Sequence, residues 1–323
     1  MLRKSIFHED WWLNAVAPGC WREVTCLRGG RVAGYLRFVE RRNGGLTICG
    51  MPQITRFLRP TVTPQPGNTQ ARTRSTHSIT TDLLEQIAHY DHVEMTVDTN
   101  FGEFAAFLAA GYEIKVQPTF LLDCKRKPED LWAGLRDKTK NEIRRARECL
   151  TVRDIDDVNL FASFYKENLE GAESYFDLSI LAPVYAAARA RQQGKIVAAI
   201  DSSGVVHAKV FFIWDDKYLH YFLSTRDRHV AHLGAVSLLL WAGIELAHSL
   251  GLWFDFDGGI VNEANYKFLV AFGGEAANRF EIARSTPLYQ VQRNVRRIPR
   301  ALMRSILPRA VQNSAAFGGH GRA

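Results

Sequence analysis

Residues 252–274 read LWFDFDGGIVNEANYKFLVAFGG, and the interpretation of the whole chain turns on this stretch. A short apolar run, 252–256, carries Asp255 within it and ends at Asp257-Gly258-Gly259. A run of this length bounded by turn residues predicts a strand, and Asp255 and Asp257, alternating along it, share one face. Residues 262–272 then predict a helix that holds Tyr266 and Lys267 and stops at Gly273-Gly274. A carboxylate inside an apolar strand is costly to bury alone, so Asp255 demands a cation, a donor or a chemical task. Asp257 has two readings: a second carboxylate of a site, or a turn residue bonding to the backbone of Gly258-Gly259.

Moving outward, 234–250 predicts a long helix stopped by Gly251. Three strands precede it at 195–201, 205–214 and 218–224, and a strand follows at 277–283. The first half shows the same order. Strands at 23–28, 32–40 and 46–50 are joined by Gly29-Gly30 and Asn43-Gly44-Gly45, turn residues suited to hairpins. They lead to a helix at 81–90, a strand at 93–97, a helix at 101–110 and a strand at 112–122. The text itself echoes, with FAAFLAAGYE at 104–113 against YKFLVAFGGE at 266–275. Two copies of one α+β unit follow, at 1–122 and 123–287, with a basic extension at 288–323 whose end, from 312, predicts disorder. Residues 52–78, rich in Pro, Thr and Gln, predict a long connection with little core. Residues 128–193, between the copies, read as mainly helical and include a basic helix with Arg136, Lys138, Lys140, Arg144, Arg145 and Arg147.

The 323 residues are 46% hydrophobic and 23% charged with a net charge of +7, the profile of a soluble globular protein whose basic excess suits phosphate-bearing partners. Five cysteines without a CxxC pair point to free thiols in a reducing, cytoplasmic compartment. The apolar stretch at 235–247 contains Glu245 and is too short to span a bilayer. His229 and His232 form a lone HxxH with no further ligand spacing, so no metal site is expected.

The order of meander, helix, strand, helix and strand is the plan of the GNAT acyltransferase fold. A chain with two such units resembles the FemAB-like branch of that superfamily. The resemblance runs from about residue 22 to 284 and rests on KTKNEIRRA at 138–146, LLWAGIELA at 239–247, FDFDGG at 254–259, Tyr266-Lys267 and FGG at 272–274. It implies an α+β fold of two tandem GNAT-like units, each a mixed sheet flanked by helices. It places Lys267 at the acyl-transfer site, where a cation offsets charge on a carbonyl oxygen or holds a phosphate of the donor; Tyr266 stands where the family has Phe. The family's donor loop, Arg/Gln-x-x-Gly-x-Gly/Ala, falls on His229, His232, Gly234 and Ala235, with histidine in place of the first glycine. Arg226 and Arg228 flank it, and free amides at a helix start are suited to a pyrophosphate.

The expected function is transfer of an acyl or aminoacyl group to an amine, with acyl-CoA or aminoacyl-tRNA as co-substrate and no tightly bound cofactor. Asp255 or Asp257 would take the proton of the attacking amine. Tyr221, Tyr266, Lys140 and Arg144 are the expected acceptor contacts, although a basic helix is also read as a solvated face. No activated nucleophile is recognisable, so transfer is expected to be direct. By analogy with Fem-type relatives the acceptor is a nucleotide- or lipid-linked cell-envelope precursor, of peptidoglycan or surface polysaccharide. Residues 288–310, with apolar positions at helical spacing between arginines, are read either as packing on the domain or as a peripheral contact with an anionic membrane. The alternatives are a coenzyme A-dependent N-acetyltransferase of a small amine or amino sugar, and a non-catalytic basic binding module.

Overall fold

A computed structural model of the chain describes residues 5–169, 173–231, 233–257 and 263–297. After a short helix, α1 (Asp10–Val16), the first half lays down β1 (Trp21–Arg28), β2 (Arg31–Asn43), β3 (Leu46–Gly50) and the two-residue β4 (Thr61–Val62). It continues with α2 (Thr69–Gln86), β5 (His92–Val97), α3 (Ala105–Ala109) and β6 (Glu113–Asp123). The second half opens with α4 (Pro128–Ala133), α5 (Asp137–Cys149), β7 (Leu150–Ile155), α6 (Val158–Glu167) and α7 (Leu181–Ala190). The strands β8 (Gly194–Asp201), β9 (Val206–Trp214) and β10 (Tyr218–Arg226) follow. Then come α8 (Ala235–Ser249), β11 (Trp253–Asp255), α9 (Glu263–Val270), β12 (Glu275–Ser285) and α10 (Pro287–Arg297).

Among the described residues the strands form one twelve-stranded mixed sheet in the order β1-β2-β3-β5-β12-β6-β11-β10-β9-β8-β7, with β4 on β2. The two halves exchange their last strands. β12 pairs with β5 of the first half, and β6 pairs with β11 of the second. The exchanged strands then pair antiparallel with each other, from Glu275 opposite Leu121 to Ala283 opposite Glu113. The offset that aligns the two echoed segments matches Gly111 with Gly273, and both have left-handed φ, +77° and +79°. Each glycine turns the chain out of a helix into an exchanged strand, a conformation other residues adopt only under strain. The same offset matches Gln117 with Arg279, and these two lie opposite each other in the β6–β12 ladder. The repeat therefore has a local two-fold relation centred on that pair.

Three buried clusters hold the layers. One joins α8 to the second-half strands and takes Phe120 and Leu122 from β6. Another packs α1, α6 and α7 on the opposite face, around Trp12, Phe161 and Phe211. The third seats α2 on the first-half strands and takes Ile282 from β12. Residues 52–78 depart from the expected coreless connection: Ile54, Phe57 and Leu58 are buried, and α2 begins at Thr69. The Leu58 amide donates to Thr96 O (2.8 Å), so this segment lies along the open side of β5. Strand β7 lies in the stretch read as helical. It is the edge strand beside β8, and its outward Arg153 and Asp154 mask the alternation that betrays strands.

Candidate functional site

In the second half β10 and β11 run parallel, Tyr218 beside Trp253, Leu219 beside Phe254 and His220 beside Asp255. There β11 ends, while β10 continues to Arg226, so residues 221–226 are open on that side. The register of β10 against β9 shifts between Tyr221 and Leu223. Phe222 is thus an extra residue whose carbonyl the ladder does not use. Arg56, from the first-half segment, donates to that carbonyl and lies 5.0 Å over the Phe222 ring.

The carboxylates of 252–274 lie beside this opening. Asp255 is 3% exposed and Arg279 is 7% exposed. Arg279 donates through Nη2 to Asp255 (2.5 Å) and through Nη1 to Asp257 (2.7 Å). Asp255 also accepts from Thr119 Oγ1 (3.3 Å) and the Asp257 amide (2.9 Å), and His220 Nδ1 lies 3.4 Å away. The second oxygen of Asp257 is in ion contact with Arg56 Nε, without hydrogen-bond geometry. Burial alone would raise the Asp255 pKa, but Arg279, His220 and the Asp257 amide outweigh it and hold the carboxyl below the usual range. Burial would likewise lower that of Arg279, and the two aspartates reverse the sign.

Two arginines thus meet two aspartates in a network of balanced charge. The expected role of Asp255 and Asp257 as proton acceptors is corrected by this geometry: Asp255 is a buried carboxylate held so acidic by an arginine that it is a poor base, and both oxygens of Asp257 are taken up by Arg279 and Arg56. The cation that a buried Asp255 demanded is Arg279. Asp257 is not on the strand at all, because β11 ends at Asp255 and Asp257 has φ +50°. The expected turn at Gly258-Gly259 lies outside the described residues.

Lys267 lies on α9, its side chain 66% exposed and 2.7 Å from Glu263. Tyr266 is exposed, with its ring 5.6 Å from Phe120. Tyr221, beside the bulge, packs on Phe212; burial pushes its pKa up to about 12, with a Ser224 hydrogen bond pulling the other way. The stretch expected to be the donor loop begins at Arg226, exposed at the end of β10, and includes His229, whose amide donates to Asp227 (2.7 Å). The Arg228 amide donates to Asn168 (3.3 Å). His232 lies outside the described residues. Gly234 (φ +74°) opens α8 ahead of the buried Ala235, and a side chain on it would meet Glu142 Cγ at 2.7 Å. Helix α5 therefore packs closely against the start of α8.

On that helix the structure assigns local partners to two expected acceptor contacts. Lys140 holds Ala133 O (3.0 Å) and Asp137 (3.2 Å), and Arg144 holds Asn141 (2.9 Å) while its guanidinium lies 5.5 Å from the Trp132 ring centre. No described contact joins Lys140 or Arg144 to Lys267 or Asp255. The residues that sequence reasoning missed are Arg56, Arg279, His220 and Thr119. Only Arg279 had a signal, as a charge among apolar positions of a predicted strand; Arg56 sits in the stretch read as coreless.

Residues 133–267 match the family model described as an acetyltransferase (GNAT) domain. The matched segment contains β10, β11 and the start of α8, and its last residue is Lys267. No curated protein matches the sequence. The fold is similar to the crystal structure of FemX, at 12% identity and a TM-score of 0.64, over 90% of this chain and 95% of that one. It is similar to a tandem GNAT protein from the clavulanic acid biosynthesis pathway, at 13% identity and 0.53, over 83% and 84%. It is also similar to the C-terminal domain of a candidate lysylphosphatidylglycerol synthetase from Agrobacterium fabrum, at 12% and 0.53, over 84% and 87%.

Proposed function

We propose, for a chain that carries a GNAT acetyltransferase domain and folds as tandem GNAT proteins do, that it transfers an acyl or aminoacyl group to an amine acceptor. The observation that carries this reading is the divergence of β10 from β11 at a bulge, inside the segment that matches the GNAT domain. Residues 221–226 leave an open strand edge there, along which an extended donor can lie. Its phosphates would meet Arg226, Arg228 and the start of α8 at Gly234-Ala235. The amine attacks the donor carbonyl, a C–N bond forms, the bond to the leaving sulfur or oxygen breaks, and the proton that the amine loses is taken up by the leaving group. Lys267 offsets the negative charge that builds on the carbonyl oxygen. Tyr221, with a pKa near 12, keeps its proton at neutral pH and serves as a hydrogen-bond donor to the leaving group. The arginine–aspartate network holds the walls of the opening in place and stays out of the proton transfer.

We place the acceptor among envelope precursors linked to a lipid or nucleotide. This is supported by α10, whose Leu288, Val291 and Val295 form an exposed apolar stripe, a pattern suited to a bilayer surface. Among the described residues no helix is long and apolar enough to cross a membrane. The description of the matched family favours acyl-CoA as donor, and the resemblance to Fem-type proteins favours aminoacyl-tRNA. A donor screen decides: acyl-CoAs and aminoacyl-tRNAs are each offered with an envelope-precursor pool, and products are read by mass. Ribonuclease-sensitive turnover assigns the tRNA donor, and thermal stabilisation by acyl-CoA with ribonuclease-resistant turnover assigns coenzyme A. If neither class of donor yields product, the transferase reading fails.

A further inference from the structure

A second concavity lies where the first half meets the β9–β10 turn, at the end of β5, the strand that corresponds to β11. Asp98, just past β5, pairs with Arg59 (3.1 Å), as Asp257, just past β11, pairs with Arg56, and both arginines come from one loop. Against Asp98 opens a cavity of about 790 Å³, between α2, the end of β5 and the β9–β10 turn. Phe57 forms part of its wall and also lies under Arg279 (5.4 Å), so a single aromatic layer divides the cavity from the charge network.

The charges around the cavity are unequal in availability. Each of its carboxylates is already engaged. Asp98 holds Arg59 and the Asn100 amide; Glu103 holds His77 and the Ala106 amide; Asp215 holds the amides of Ile6, Lys217 and Tyr218. Two cations are not engaged in this way. Arg72 has no side-chain partner among the described residues, and Lys217 touches only the neutral Asn100 and the ring of Tyr218. Two buried polar atoms at the wall also lack partners, His8 Nδ1 and Thr80 Oγ1. The Arg59 amide donates to His8 Nε2, and burial with the nearby Arg59 charge lowers the His8 pKa to about 4. His8 Nε2 also lies 3.3 Å from the Arg59 carbonyl, so Nδ1 is a polar atom without a partner in either tautomer of the neutral ring. Unmatched cations and the unpaired Thr80 hydroxyl around an aromatic wall of Phe57, Phe101 and Tyr218 select an anion with an apolar body.

We propose that the chain binds a small organic anion, a phosphate- or carboxylate-bearing metabolite with an aromatic or apolar group, in this cavity between the first half and the β9–β10 turn, separately from acyl transfer. The test is calorimetric titration of the full chain with UMP as the phosphate probe and N-acetyl-tyrosine as the carboxylate probe. At least one is expected to bind, and the probe that does so identifies the head group. The Arg72→Ala/Lys217→Ala variant, altered only at the cavity rim, is expected to bind about tenfold or more weakly. Thr80→Val should raise the melting temperature of the free protein, by removing an unpaired buried hydroxyl, yet weaken binding. Arg226→Ala should leave this affinity unchanged, which separates the cavity from the donor loop. Failure of both probes to bind the wild type overturns the proposal. So does binding that survives the double variant or is abolished by Arg226→Ala.

Discussion

Replacing Arg279 by Met keeps most of the apolar stem and removes the charge that serves both aspartates. Asp257 retains Arg56, so the loss falls on Asp255, which is 3% exposed and would keep only the Thr119 hydroxyl, the Asp257 amide and His220. Breaking one side of a buried ion pair costs about 3–5 kcal/mol, because the partner left behind is a buried charge. The pH dependence gives the sharper test. In the wild type the Asp255 pKa lies below its unfolded value of about 3.9. Its contribution is complete above that value and is lost as pH falls through the lower folded pKa. Without Arg279, burial raises the pKa instead, and the penalty shrinks as the pH falls and Asp255 takes up a proton. Guanidinium denaturation between pH 7 and 5 should therefore show Arg279→Met losing about 3–5 kcal/mol at pH 7 and regaining part of it on acidification. Adding Asp255→Asn should recover most of the loss, with a large coupling energy in the double-mutant cycle. A cost under about 1 kcal/mol at pH 7, or one that grows on acidification, would refute the assignment of Arg279 as the counter-charge.

Three further outcomes are expected. Lys267→Ala should lower kcat about a hundredfold with whichever donor the screen identifies. It should leave the melting temperature unchanged, because the side chain is 66% exposed. Replacing Leu288, Val291 and Val295 together by Ser should reduce cosedimentation with phosphatidylglycerol vesicles without altering stability; equal pelleting of wild type and variant removes the membrane role of α10. Burial lowers the His8 pKa from 6.5 to about 4, so the stability it contributes is present above pH 6.5 and is lost as the pH falls toward 4. His8→Gln, whose amide oxygen can still accept from the Arg59 amide, should flatten the decline of melting temperature across that window.

The repeat was legible because it is written in local residues: hairpin turns, the alternation of the strands, and glycines that must take left-handed φ where a helix gives way to a strand. Gly111 and Gly273 do so at matched places in the echo. The strand exchange was not legible, since nothing within β6 or β12 specifies which half supplies the neighbour. The site was legible in part. A carboxylate in an apolar run announces that a counter-charge exists, but the partner lies on another strand. Arg56 was hidden more deeply, in a Pro- and Thr-rich stretch where Ile54, Phe57 and Leu58 are spaced too irregularly to signal a strand or helix. Lys267 was picked by resemblance, and its described partner, Glu263, is a neighbour one helical turn away.

The exchange also explains why the charge network stands where it does. Arg279 faces Gln117 at the centre of the β6–β12 ladder, so it occupies the locus where the two copies of the repeat meet themselves. A two-fold relation brings equivalent positions together there, and a charged side chain on both copies would place like charges side by side. The chain carries arginine on one copy and a neutral amide on the other. The single arginine is turned toward the end of β11, where it holds two aspartates, and Arg56 reaches one of them, Asp257, from the first half. Phe120 and Leu122 of β6 complete the second-half core, and Ile282 of β12 completes the first. Each half thus lacks a strand, core side chains and part of a charge network until the other is present. The opening between β10 and β11 is consequently a property of the whole chain, since its walls are held by residues from both ends of the sequence.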